Sequence, residues 1–363
     1  MPAATPADER RGDAPAPGTI VAPGLVDAHI HPDKSSWGGP WMSRKPAASL
    51  ADFIANDLAT QRSYTRSVEE RAHALLSTAL ANGTLAMRAH VDVSHELGTR
   101  NVEGVRAAAE RLAPWLTVQI VAFPQFGLLT NPGTLEAMAA SLDAGADLVG
   151  GIDPLGLEGD VAGHLDAVFG LAERAGRDLD LHLHDGGEDG LAQIREIAAR
   201  TAAAGMQGRV TVSHAFALAD ATLPSRAETL DRVAEAGLWV TSCALGDDPV
   251  LDPALLEQHG VDYALGSDGV RDAWTPFGTG SMVDRAHLFA YRTGAMTDDA
   301  LERCYRAASV HGGRLLGIPE LAEPVAAGAA TRLEFAGESL AQVVVDRPAP
   351  IAVVRDGRAA PGR

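Results

Sequence analysis

The residues best suited to chemistry begin in Pro23-Gly24-Leu25-Val26-Asp27-Ala28-His29-Ile30-His31, an apolar, β-favouring run that ends in two histidines one residue apart. In a strand, residues i and i+2 face the same side. Both imidazoles can therefore address one ion, and imidazole nitrogen suits a transition metal such as zinc or iron. Two surface histidines on an edge strand would share that spacing, so the motif has to be read with the rest of the chain. Further polar residues stand at the C-terminal ends of later apolar runs: His90 with Asp92, Gln125, Asp153, His182 with His184 and Asp185, Ser213-His214 and Ser267-Asp268. Histidines and carboxylates gathered at one mouth read as a cation site with acid/base partners.

The elements that must position these residues follow a regular alternation. Strand patterns fall at 24–30, 84–93, 116–125, 147–153, 178–184, 209–216, 238–245 and 262–268. Helical apolar spacing lies between them, at 47–80 with a break near 63–66, then at 102–112, 134–144, 161–175, 190–204 and 227–236. Eight strands alternating with helices predict a (β/α)8 barrel of the TIM type, with its chemistry at the C-terminal ends of the strands. An open doubly wound sheet fits less well, because no strand is followed by Gly-x-Gly-x-x-Gly. The connection 32–46 is polar and Gly-rich, carries Trp37 and Trp41, and is longer than a plain βα turn, as loops over active sites are. Helices are expected again near 281–293 and over 297–316. The tail then reads as short strands at 331–335, 342–345 and 351–354, with a turn at Asp356-Gly357. The expected organisation is a loose arm over 1–18, a barrel over 19–318 and a small β appendage over 319–363, formed mainly by the C-terminal tail.

Composition narrows the function classes. The chain has 363 residues, 46% of them hydrophobic, with 48 acidic against 30 basic residues and a formal charge of -18. No basic cluster is present, which argues against nucleic acid and anionic membranes as partners. No stretch reaches 18 uninterrupted apolar residues, so no membrane span is expected. The first 18 residues lack the apolar core of a signal peptide. Cys243 and Cys304, far apart in sequence, offer no disulfide framework and no Cys-x-x-Cys metal spacing, and a reducing cytoplasm fits best. A homo-oligomer is compatible with the sequence.

From about residue 20 onward the chain resembles the amidohydrolase superfamily and, within it, the cytosine deaminase-like group. The resemblance rests on residues 23–31, on Arg88-Ala89-His90-Val91-Asp92-Val93 and on Gln119-Ile120-Val121-Ala122-Phe123-Pro124-Gln125. It continues through Val212-Ser213-His214, Gly266-Ser267-Asp268 and Arg271-Asp272-Ala273-Trp274-Thr275-Pro276-Phe277-Gly278. It implies that His29, His31, His182 and Asp268 hold one divalent ion, zinc or iron, with His214 orienting the attacking water and Asp268 accepting its proton. Binuclear relatives bridge two ions with a carboxylated lysine on the fourth barrel strand, but 147–154 contains no lysine. The resemblance also puts Gln125 against the substrate's ring edge and Trp274 over its ring. An amide offers a donor and an acceptor, which suits a lactam-like heterocycle. The implied reaction is hydrolytic deamination of an amino-substituted nitrogen heterocycle by metal-bound hydroxide, the ring being a pyrimidine, pterin, purine-like ring or triazine. The alternatives are cleavage of a cyclic amide or N-alkylamino group at the same site, or a barrel that binds without turnover.

One position departs from the family pattern. The proton-shuttling glutamate expected three residues after the third metal histidine is Asp185 here, followed by Gly186-Gly187-Glu188. Asp185 is assigned the shuttle, with Gly freedom letting the shorter side chain approach. Glu188 is expected to be solvated, His184 to stand behind the ligand set, and His90 and Asp92 to pair with each other.

Overall fold

All eight apolar runs expected as barrel strands form them, each a little shorter than its sequence window. The computed structural model describes residues 18–361, so the expected N-terminal arm lies outside the described residues except for Gly18. The chain enters through β1 (Thr19–Ala22) and then lays down β2 (Leu25–Ile30), β3 (Thr84–Asp92), β4 (Thr117–Phe123), β5 (Leu148–Ile152), β6 (Asp178–Leu183), β7 (Val210–His214), β8 (Trp239–Ser242) and β9 (Asp262–Leu265). From β2 to β9 each strand pairs in parallel with the next in sequence, and a bridge between Ile30 and Asp268 joins the first edge to the last. This is a (β/α)8 TIM-type barrel. Strands β2 and β3 are buried along their whole length, as strands covered by helices outside and by packed side chains inside must be.

Two helices instead of one separate β2 from β3. They are α1 (Leu50–Ser63) and α2 (Val68–Ala81), divided where the apolar spacing predicts a break. The reason is local: Ser67 accepts from Glu70 N–H at 3.2 Å while Glu70 Oε2 accepts from Ser67 N–H at 2.8 Å, a reciprocal cap that starts a new helix. The later crossovers carry α3 (Arg100–Glu110), α4 (Thr134–Asp143), α5 (Val161–Ala175), α6 (Gly187–Ala203), α7 (Arg226–Glu235) and α8 (Pro253–His259). After β9 come α9 (Met282–Thr293), α10 (Asp298–Ala307) and α11 (Val310–Leu315). The single helix expected over 297–316 is therefore split at Ala308 and Ser309.

The second sheet is antiparallel, in the order β1, β10 (Arg332–Ala336), β11 (Ala352–Arg355), β12 (Arg358–Ala359). Its hairpin turns at Asp356 and Gly357, both at positive φ (51° and 75°), the twist that suits a two-residue β-hairpin. Two expectations for this region are corrected. Residues 19–22, expected with the barrel, form β1, which pairs with β10 along its whole length, while the C-terminal tail supplies the other three strands as expected. The stretch 342–345, expected as a strand from its valines, lies in α12 (Leu340–Asp346). Ser339 caps that helix by accepting from Gln342 N–H at 3.1 Å, and Ala341, Val343 and Val344 bury its apolar face. Packing and a cap outweigh the β preference of valine there.

Candidate active site

The floor of the barrel mouth is built from strand ends. His29 and His31 leave β2 on the same side, both buried. Gly266 lets the end of β9 lie directly on them, since a Cβ there would come within 2.3 Å of His29 Cβ. Asp268 follows, held by a hydrogen bond from its N–H to His29 O at 2.7 Å. Its Oδ1 lies 3.1 Å from His31 Nε2 and 3.5 Å from His29 Nε2, and His182 Nε2 at the end of β6 lies 3.4 Å from His31 Nε2. His214 at the end of β7 joins His29 and His182 with ligand atoms within 4.8 Å of one another. Asp153, His214 and Asp268 all take left-handed backbone angles (φ 31°, 71° and 61°). Such conformations cost non-glycine residues on the order of 1 kcal/mol or more and gather at functional sites.

Hydrogen bonding fixes which nitrogen of His29 is free. Ser213 Oγ has one hydrogen, which it donates at 2.7 Å to Asp180 Oδ1, the partner of Arg88 at 2.8 Å. It must therefore accept from His29 Nδ1 at 2.9 Å. The lone pair of His29 Nε2 is left facing the floor, where it has no hydrogen-bond partner, and His214 Nε2 has none either. The Nδ1 atoms of His31 and His182 also lack partners among the described residues. Burial holds the imidazoles neutral: it lowers His31 to about 3, with Lys34 adding to the effect, and it drives His182 and His214 well below the usual range. Burial acts the other way on Asp268, but the adjoining His29 and His31 rings outweigh it and hold its carboxyl well below the carboxylate range. Unpartnered, neutral imidazole nitrogens converging with a carboxylate are a donor set able to hold a divalent metal.

The wall above the floor comes from α1 and the loops. A cavity of about 640 Å³ opens there, lined among others by His31, Lys34, Phe53, Gln125, Asp185 and Trp274. A larger groove of about 900 Å³ runs along α2 beside Arg347 and shares no residue with this cavity; His31, His182, His214 and Asp268 line the smaller one. Lys34 is buried, with Nζ 2.5 Å from Gln125 Oε1 and 3.2 Å from Asp92 Oδ1. Trp274 does line the cavity, but its indole N–H donates to Asp57 Oδ2 at 3.0 Å and Phe53 stacks on it at 5.2 Å and 11°. Asp272 Oδ1 accepts from the N–H groups of Trp274 and Thr275, both at 2.8 Å, while burial raises its carboxyl to about 7 against the opposing pull of Thr275 and Lys34.

Other expected residues are placed differently from one another. Asp185 lines the cavity, and its Oδ2 accepts from Gly156 N–H and Gln193 Nε2, both at 3.0 Å. The glycine that permits this approach is Gly156, where a Cβ would come within 2.2 Å of Asp185 Oδ1. Of the two glycines after Asp185, only Gly187 takes a positive φ, 66°. Glu188 is exposed in the first turn of α6 and accepts from Ser225 N–H at 3.2 Å, outside the cavity lining. His90 and Asp92 do not pair: His90 stacks on His29 at 4.0 Å and Asp92 faces Lys34. His184 is not behind the ligands but in the cavity wall, stacked on His214 at 4.3 Å, with Nδ1 2.8 Å from Asp153 Oδ2. Burial opposes its charge, yet Asp153 outweighs burial and raises it above the usual histidine value.

Sequence reasoning missed Phe53 and Asp57, which give no local signal, and left Lys34 outside the site. One signal for Lys34 was present: it is one of only two lysines in the chain and stands three residues after His31.

Known proteins resemble this chain over nearly its whole length. The model of the amidohydrolase family matches residues 16–322. N-isopropylammelide isopropyl amidohydrolase of Pseudomonas sp. (strain ADP) is 33% identical over 353 residues, covering 94% of this chain and 86% of that protein. The solved structure of N-isopropylammelide isopropylaminohydrolase from Burkholderia multivorans ATCC 17616 superposes with a TM-score of 0.89 at 40% identity, over 96% of this chain and 90% of that one. That of 5-methylcytosine deaminase from Klebsiella pneumoniae, at 23% identity, shares the fold with a TM-score of 0.84 over 96% and 88%. The chain belongs to the amidohydrolase family, hydrolases that act on C–N bonds other than peptide bonds.

Proposed function

We propose that the protein removes an exocyclic amino or N-alkylamino group from a nitrogen heterocycle by hydrolysis. The observation that carries this reading is the position of the Nε2 and carboxylate donors at the floor of a cavity whose wall holds Gln125 and Trp274. One divalent ion, zinc or iron, held by His29, His31, His182 and Asp268, would supply Lewis acidity and make hydroxide available near neutral pH. His214 orients the water and Asp268 takes its proton. Gln125 fixes the ring edge, and Trp274, backed by Phe53, flanks the ring. A C–O bond forms at the ring carbon as the C–N bond breaks, and the proton leaves with the amine. Asp185 carries that proton. The pairing of His184 with Asp153 favours a second candidate, because it holds a donor imidazole in the same wall.

The N-alkylamino option draws support from the two relatives that act on N-isopropylammelide and from a cavity of about 640 Å³, larger than a bare six-membered ring needs. The test is amine and ammonia release by metal-replete protein from N-isopropylammelide, ammelide, cytosine and a pterin. Turnover of at least one supports the reading, and binding without turnover of any would make the protein a non-catalytic barrel. Asp185→Asn should keep the metal and lower kcat by at least about a hundredfold. If it stays active while His184→Gln is dead, the shuttle belongs to His184.

A further inference from the structure

The contact between Lys34 and Gln125 decides which face of the amide the cavity sees. Lys34 is buried at 2% exposure, 2.5 Å from Gln125 Oε1, 3.2 Å from Asp92 Oδ1 and 3.9 Å from Asp57 Oδ2. Burial opposes its charge, but Asp92, Asp57 and Asp33 outweigh burial and raise its ammonium above the usual lysine value. An ammonium has three donors and no acceptor. Gln125 can therefore meet it only with its carbonyl oxygen. Its Nε2 is left without a partner among the described residues, in a side chain that lines the cavity. Asp92 and Asp57 hold Lys34 in turn: Gln61 on α1 donates to Asp92 Oδ2 at 2.9 Å and Trp274 donates to Asp57 Oδ2 at 3.0 Å. Lys34 Nζ thus sits between Gln125 and the carboxylates of Asp92 and Asp57, and its one hydrogen bond among the described residues is to Gln125, through which it acts on a ligand.

We infer that Lys34 is a positioning residue that locks Gln125 as a hydrogen-bond donor, so that the cavity selects rings bearing an oxo oxygen at the edge facing Gln125 over rings bearing an amino group there. This rests on Gln125 contacting the ring edge, as proposed above, and narrows the substrate class to aminoheterocycles that also carry a ring carbonyl. A donor facing a substrate amino group leaves both unpaired, and sites built on such a bond discriminate strongly.

The test is calorimetric binding of uracil and of 2,4-diaminopyrimidine to metal-replete protein, at a pH where both rings are neutral. The dioxo ring should bind at least about tenfold more tightly, the scale of one such hydrogen bond. Gln125→Glu, which offers only acceptors, should reverse the preference. Lys34→Met frees the amide to turn and should reduce the preference to near unity, whereas Lys34→Arg should retain it. A purely structural lysine would weaken both rings alike and leave their ratio unchanged, and that result overturns the inference. Equal affinity of the wild type for the two rings also overturns it, and needs no variant that must fold. If neither ring binds and no heterocycle is turned over, the functional reading fails and takes this inference with it; turnover without an oxo preference overturns the inference alone.

Discussion

The floor and the wall of the cavity are built on opposite principles. On the floor, buried nitrogens of His29 and His214 are left without hydrogen bonds, and burial holds the His182 and His214 imidazoles neutral. In the wall, Lys34, Gln61 and Trp274 each have a partner, and charges are compensated in place. Unpartnered lone pairs are tolerable only where something else is to be bound. The compensated network instead fixes shapes and directions. On the proposed function the floor carries the reaction and the wall chooses what reacts, and the two should respond differently to mutation.

The largest effect is expected on the floor. His182→Ala removes a donor from the centre of the set and should strip the metal and lower activity by more than the 10–100-fold typical of losing a partner behind a ligand. Full metal occupancy in that variant, measured by elemental analysis, would show that the donor set is wrong. Ser213→Ala breaks the chain from Asp180 to His29 Nδ1 without removing a ligand, and should weaken metal affinity by about 10–100-fold, read in a chelator competition. In the wall, Gln125→Ala should lower kcat/KM by about tenfold or more while leaving metal content unchanged; a loss of metal there would erase the distinction between the two regions.

The smallest effect concerns pH. The Asp272 carboxyl is raised from 3.8 to about 7 by burial, so the folded state holds a proton that the unfolded state releases. Its contribution to stability is complete below about pH 4 and is lost as pH rises towards and through about 7, at up to about 1.4 kcal/mol per pH unit. Asp272→Asn keeps an acceptor for the N–H groups of Trp274 and Thr275 and cannot titrate. Its Tm should gain on the wild type between about pH 4 and 7, whereas a constant offset across that range would remove Asp272 as the source.

The same division explains what the sequence disclosed. Strand positions recur with period two and end at polar residues, so the sequence alone puts His29, His31, His182, His214 and Asp268 at one mouth. The wall depends on how α1 lies across that mouth, and nothing in its local sequence says that Phe53 and Asp57 reach Trp274 and Lys34. His184 was displaced from its expected place for a similar reason, since the strand ends with Leu183 and the backbone no longer alternates beyond it. The valines at 343–345 misled through propensity alone, because the cap at Ser339 and the buried face of α12 decide the structure there.

One titration bears on the floor most directly. Metal-stripped protein is reconstituted with zinc or iron in fractions of an equivalent while amine release from the best heterocycle of the panel is followed. Activity rising linearly and breaking at one equivalent per chain is the expected result; a break at two equivalents, or turnover that does not depend on added metal, would contradict a single metal centre formed by His29, His31, His182 and Asp268.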